Sequence, residues 1–168
     1  MKIETQSNGE LEHLCELIGD IDVVMLANSD ADGMLVSRPM TPLEMDRTGA
    51  IWFFTDLQST KVEQLGVVNV SFVDVGRSIF VSMSGRSQLQ TDQAHITRLW
   101  TPFAKPWFPN GPESPTLALL KFTPEIAHYW DSSHCKMVRM FAMVASIALG
   151  KPVGLGESVT MAHLSGGS

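Results

Sequence analysis

The spacing of hydrophobic positions changes several times along the chain, and each change marks an element. Leu11, Leu14, Cys15 and Ile18 recur at i, i+3, i+4 and i+7, which predicts an amphipathic helix ending at Gly19. Val23-Val24-Met25-Leu26-Ala27 is a short run of strand formers. Asn28-Ser29-Asp30-Ala31-Asp32-Gly33 is dense in turn residues, and strand signal resumes at Met34-Leu35-Val36, so the segment reads as a hairpin. Pro39 and Pro42 put the end of its second strand at a sheet edge or bulge, because proline cannot donate to a ladder.

The next strand runs from Ala50 to Thr55, and a short helix follows at residues 60–65 with Val62 and Leu65 turned inward. Period-two alternation then predicts strands over residues 67–75 and 78–89, joined by the turn Asp74-Val75-Gly76-Arg77. Thr91 or Asp92 can cap a helix to Trp100. Residues 101–116 hold five prolines and read as a long, stiff loop. Two more strands, Leu117–Phe122 and Ile126–Trp130, precede a helical pattern carried by Met137, Met140, Phe141 and Val144. Residues 1–150 thus form a single domain, and the glycine-rich residues 151–168 read as a flexible tail. Six or seven short strands with few, peripheral helices predict a mainly β fold, an antiparallel barrel with helices packed outside.

Composition narrows the partners. At 168 residues and 44% hydrophobic the chain suits one globular domain, and its net charge of −6 opposes nucleic acid or an anionic membrane as partner. Cys15 and Cys135 are far apart, as in reduced cytosolic proteins rather than disulfide frameworks. The polar start Met1-Lys2-Ile3-Glu4-Thr5-Gln6 does not resemble a signal peptide. The apolar stretch from Met137 to Leu149 contains Arg139 and is shorter than the roughly 20 residues of a membrane span. A cytoplasmic protein is expected.

Two segments carry candidate chemistry. Ser37-Arg38-Pro39-Met40 sets an arginine on a strand. Trp52-Phe53-Phe54-Thr55-Asp56-Leu57-Gln58-Ser59-Thr60-Lys61 is an aromatic strand turning through a polar loop into a helix that starts near Ser59. Free backbone N–H groups at a helix start, two hydroxyls and a lysine suit a phosphate, and an arginine on a neighbouring strand can grip the same group with two hydrogen bonds. Beside them, one or two of the aromatic residues can flank a planar ring, while the others belong to the core. The five histidines show no ligand spacing, so no metal site is expected.

Taken together in this order, Ser37-Arg38-Pro39-Met40, Trp52-Phe53-Phe54-Thr55, Ser59-Thr60-Lys61, Val81-Ser82-Met83-Ser84-Gly85, Trp107-Phe108-Pro109-Asn110-Gly111-Pro112 and Tyr129-Trp130-Asp131 resemble the general stress protein 26 branch of the pyridoxamine 5′-phosphate oxidase-like flavoproteins. The resemblance spans roughly residues 10–135. It implies a split β-barrel, a homodimer, and FMN in a cleft between the subunits. It assigns the FMN phosphate to Arg38, Ser59 and Lys61, with Thr60 beside them. Pro39, Met40, Phe53, Phe54 and Thr55 would flank the ring and ribityl chain. Trp107 and Trp130 are candidates for the aromatic cover supplied by the partner subunit; Trp130 suits core packing equally well.

The chain departs from true pyridoxamine phosphate oxidases at its C-terminal end, where Gly, Ser, Val and Met stand in place of an arginine- and histidine-containing strand. It also lacks an Asn-Pro at Gly66-Val67-Val68-Asn69. The first departure argues against pyridoxamine phosphate as substrate, not against flavin. Three functional expectations follow: an FMN-dependent oxidoreductase on a small organic substrate, an FMN-binding or redox-buffering protein with no dedicated substrate, or a cofactor-free β-barrel interaction module. No general acid or base stands out.

Overall fold

The computed structural model describes residues 1–6, 9–58, 66–131 and 157–162. The first helix, α1 (Gly9–Ile18), buries Leu11, Leu14, Cys15 and Ile18, the face its spacing predicts, together with Leu17. Strands follow in chain order: β2 (Val24–Ser29), β3 (Leu35–Met40), β4 (Pro42–Met45), β5 (Ile51–Asp56), β6 (Val67–Asp74), β7 (Ile79–Gln90) and β8 (Leu117–Asp131). A two-residue β1 (Lys2–Ile3) precedes α1, and β9 (Glu157–Ala162) pairs antiparallel with the end of β8. A strand thus stands inside the segment that the sequence suggests is a flexible tail. Between β7 and β8 lie α2 (Gln93–Leu99), capped by the Asp92 side chain, and two 3₁₀ turns, Pro102–Ala104 and Gly111–Glu113. The proline-rich loop therefore contains short regular turns, each with proline near its start where a missing N–H costs nothing.

The strand order is β1-β4-β5-β8-β7-β6-β2-β3. β3 and β4 stand near opposite ends of that order, yet Thr41 alone separates them in the chain. One residue spans only about 3.8 Å, so the sheet must curl until its ends meet. The bent β3–β4 strand pairs with β2 through its first half and with β5 through its second. The result is an antiparallel barrel split at the bend.

Val24, Leu26, Phe53, Val70, Phe72, Met83, Leu120 and Phe122 fill the interior, and α1 packs onto the same core. A second apolar layer joins Trp52 and Leu119, on the outer faces of β5 and β8, to Ile96 and Leu99 of α2 and to Phe108. Both faces of these strands are covered, which explains the nearly unbroken apolar runs in β5 and at the start of β8. The layer is fastened by Arg98 of α2, which bonds both carboxylate oxygens of the buried Glu44 on β4. Among the described residues no helix is long and apolar enough to cross a membrane.

Three local readings need correction. The hairpin turn begins later than composition suggests, because Asn28 and Ser29 complete β2. β4 is a strand, although it is short and starts with proline; a register shift between Pro42 and Glu44 accommodates it. The two strands expected around Pro124 are one 15-residue strand, β8. A bulge opposite Ser84 and Gly85 lets the ladder run past the missing proline N–H. The helices expected over residues 60–65 and 137–149 lie outside the described residues.

Candidate functional site

The barrel split opens a cleft of about 510 Å³. One wall is the bend itself, Arg38-Pro39-Met40-Thr41, and another is the end of β5, Phe54-Thr55-Asp56. The third is the first 3₁₀ turn and its sequel, with Phe103, Ala104, Trp107 and Phe108. The local sequence explains the opening. Neither Pro39 nor Pro42 can donate to a ladder, so β3–β4 cannot continue as one regular strand beside both neighbours.

Arg38 lies opposite Leu26 in the β2–β3 register and is partly buried. Its Nη1 donates to Asn28 Oδ1 at 2.8 Å. Burial lowers its pKa from the ordinary arginine value, yet a guanidinium stays protonated in proteins. Among the described residues no carboxylate forms an ion pair with it. A half-desolvated cation without a counter-charge attracts an anion, and the fork of donors suits phosphate or carboxylate oxygens. Asp56, the one carboxylate among the described residues lining the cleft, accepts from the backbone N–H of Gln58 at 2.9 Å and closes an Asx turn at the end of β5.

The aromatic wall has an anchored side and an open side. Ala104 and Phe108 are buried in the second apolar layer, and Phe108 meets Phe54 edge-on at 6.3 Å between centroids. Phe103 and Trp107 are left at the rim, 68% and 66% exposed, with ring centroids 5.9 Å apart. Two large aromatic rings that remain in water beside a cavity offer planar contact area to a ligand.

The cleft thus gathers Arg38, Pro39, Met40, Phe54, Thr55 and Trp107 from the residues singled out in the sequence. Phe53 is not among them: its side chain is fully buried in the barrel core, as alternation along β5 requires. Trp130 stands apart on the outer face of β8, opposite Phe80 and stacked with His128 at 6.5 Å. Ser59, Thr60 and Lys61 lie outside the described residues. Trp107, expected as cover for a partner's cofactor, lines the cleft of its own chain. Sequence reasoning missed Phe103, Thr41 and Asn28. For Asn28 a signal was present: it continues the inward alternation of Val24 and Leu26.

Comparison with known proteins agrees with this architecture. Residues 9–153 match the family described as pyridoxamine 5′-phosphate oxidase like. The Neurospora crassa protein bli-3 is 25% identical over 141 residues, covering 77% of this chain and 68% of its own. A Clostridium acetobutylicum protein related to general stress protein 26 superposes with a TM-score of 0.68 at 20% identity, covering 90% of this chain and 93% of its own. The general stress FMN/FAD binding protein of Xanthomonas citri is 32% identical with a TM-score of 0.60, over 72% of this chain and 87% of its own. A match over most of its length and a shared split-barrel topology place the chain in the pyridoxamine 5′-phosphate oxidase-like family.

Proposed function

We propose that the cleft at the barrel split is a flavin seat, and that the protein is an FMN-binding flavoprotein of the general stress type. The observation that carries this reading is Arg38: a partly buried guanidinium without a carboxylate partner among the described residues, beside an otherwise largely apolar and aromatic cavity. A mononucleotide matches that division, with an anionic phosphate at one end and a planar ring at the other. Arg38 holds the phosphate, joined by Ser59, Thr60 and Lys61, which follow β5 in the sequence. Pro39, Met40, Phe54 and Thr55 flank the ring and ribityl chain, and Trp107 covers them. The flavin-binding description of the Xanthomonas citri relative supports the cofactor class.

The cofactor supplies hydride or electron transfer; the chain supplies binding and orientation and keeps water from the ring. Two copies are proposed to pair, with the cleft at their interface and Trp130 at the contact. The working place of the protein is the cytoplasm. As an enzyme it would be an FMN-dependent oxidoreductase on a small organic substrate. A second reading, a flavin-binding or redox-buffering protein with no dedicated substrate, is favoured by one observation. Among the described residues lining the cleft, Arg38 and Asp56 are the ionisable side chains, and the Asp56 carboxylate is engaged in its turn. Neither is poised to move a proton.

Titration of the purified protein with FMN, followed by flavin absorption and fluorescence, tests the seat. Saturable binding near one flavin per chain is expected, and folded protein that binds none would overturn the reading. Rapid bleaching of the bound flavin by NADH or NADPH would select the enzyme; tight binding without bleaching would select the redox-buffering protein.

A further inference from the structure

We propose that Asn28 is a positioning residue of the anion seat, one that fixes the Arg38 guanidinium in place without neutralising it. The inference rests on the flavin reading above and adds to it a residue which that reading does not use. Asn28 is 2% exposed and sits on the inward face of β2 after Val24 and Leu26. An amide buried among aliphatic side chains is costly unless both of its ends are bonded. Here they are. Asn28 Oδ1 accepts from Arg38 Nη1 at 2.8 Å, and Asn28 Nδ2 donates to the Ser29 carbonyl at 2.9 Å. The two bonds settle the orientation of the amide, because a flipped group would point its NH₂ at a guanidinium that cannot accept and its oxygen at a carbonyl that cannot donate.

The backbone around it is rigid. Asn28 is paired with Val36 of β3 on one side and Val68 of β6 on the other. The acceptor that aims Arg38 is therefore held on a strand with neighbours on both edges, whereas Arg38 itself stands on β3, at the end of the strand order. The neutrality of the acceptor matters as much as its place. Arginine has five N–H donors, and a single bond to an uncharged oxygen leaves its charge and the rest of its fork for an external anion. A carboxylate at position 28 would pair with the same guanidinium and repel a phosphate. The side chain at 28 thus sets how strongly the seat prefers a phosphorylated flavin over an unphosphorylated one.

The test compares dissociation constants for FMN and riboflavin in wild type, Asn28→Asp and Asn28→Ala, each also in an Arg38→Ala background. Wild type is expected to prefer FMN. Asn28→Asp should weaken FMN by about tenfold or more, as expected when like charges face each other at a binding site, and change riboflavin by less than about twofold. Asn28→Ala should weaken FMN less, and it keeps the test open should the aspartate variant fail to fold. In the Arg38→Ala background Asn28→Ala should lose its effect on FMN, because no guanidinium is left to position. Equal weakening of FMN and riboflavin, no change in either, or an Asn28→Ala loss of FMN affinity that persists without Arg38 would overturn the inference. A wild type that binds FMN no better than riboflavin would instead overturn the phosphate seat, and this inference with it.

Discussion

Arg98 and Glu44 meet as a two-point pair, Nη1 to Oε1 at 2.8 Å and Nη2 to Oε2 at 2.6 Å, and this contact ties α2 to β4. The Glu44 side chain is fully buried, and Lys2 Nζ reaches the same carboxylate at 3.1 Å. The hydrogen bonds from Arg98 outweigh the opposing effect of burial and, with Lys2, hold the Glu44 carboxyl at about 2, below the ordinary 4.5. Because the folded-state pKa lies below the unfolded one, the stabilisation is complete above about pH 4.5 and is lost as pH falls toward about 2. Arg98→Met is expected to cost about 2 kcal/mol at pH 7, since it leaves a buried carboxylate without its two-point partner and with Lys2 on one oxygen. Urea unfolding of both proteins over a pH series checks this: their difference should shrink steadily below pH 4.5. A difference that stays constant down to about pH 2 would contradict the linkage.

Gly85 faces the backbone of β8 where the ladder passes its bulge. A Cβ there would fall on the Thr123 carbonyl oxygen and stand 2.8 Å from Pro124 Cα. Backbone atoms in a paired strand cannot swing aside as a flexible side-chain end could. Gly85→Ala is therefore expected to destabilise the fold by about 3 kcal/mol or more, at the upper end of single substitutions. Gly66→Ala makes the control, because among the described residues a Cβ at Gly66 meets nothing within 4 Å. Comparable denaturation midpoints for the two variants would contradict a close backbone approach of β7 and β8 at Gly85.

The same bulge shows where the sequence was legible. Alternation locates β6 and β7 closely, because one face of each strand is buried and the other is not, whereas the run of strand formers at β2 stops short of Asn28 and Ser29. Pro124 made β8 look like two strands; its compensation, a glycine opposite, is remote in sequence and visible only once the pairing is known. β4 was hidden by its length and its leading proline. In the site, Arg38 and Phe54 stand out by residue type, whereas Asn28 reads as a turn residue because asparagine favours turns. Its burial follows from position: two residues beyond Leu26, on the same face. Phe103 carries no signal in a proline-rich loop expected to be irregular, yet Ala104 and Phe108 anchor this one and fix where Phe103 and Trp107 stand.

Those two rim aromatics should affect ligand and not fold. With Trp107 66% exposed, Trp107→Ala is expected to change stability by no more than about 0.5 kcal/mol, as is usual for surface positions. If the ring covers a flavin, its loss should weaken FMN by about tenfold, the scale of one aromatic contact. It should weaken riboflavin by the same factor, because the contact is to the ring and not to the phosphate. Phe103→Ala should act in the same direction. Unchanged affinity for both ligands in both variants would remove the rim from the seat.

Arg38 gives the sharpest separation. A hydrogen-bonded charge pair contributes about 1.5–3 kcal/mol, so Arg38→Ala should weaken FMN by roughly 10- to 100-fold. Riboflavin, which has no phosphate, should bind as before. Arg38→Lys keeps the charge but not the planar fork, and Asn28 would face a flexible ammonium, so an intermediate loss is expected. Salt adds a second readout. The FMN affinity of wild type should fall with ionic strength, and that dependence should flatten in Arg38→Ala, because a screened charge has been removed. An alanine variant that binds FMN as tightly as wild type, with the same salt dependence, would move the phosphate away from Arg38 altogether.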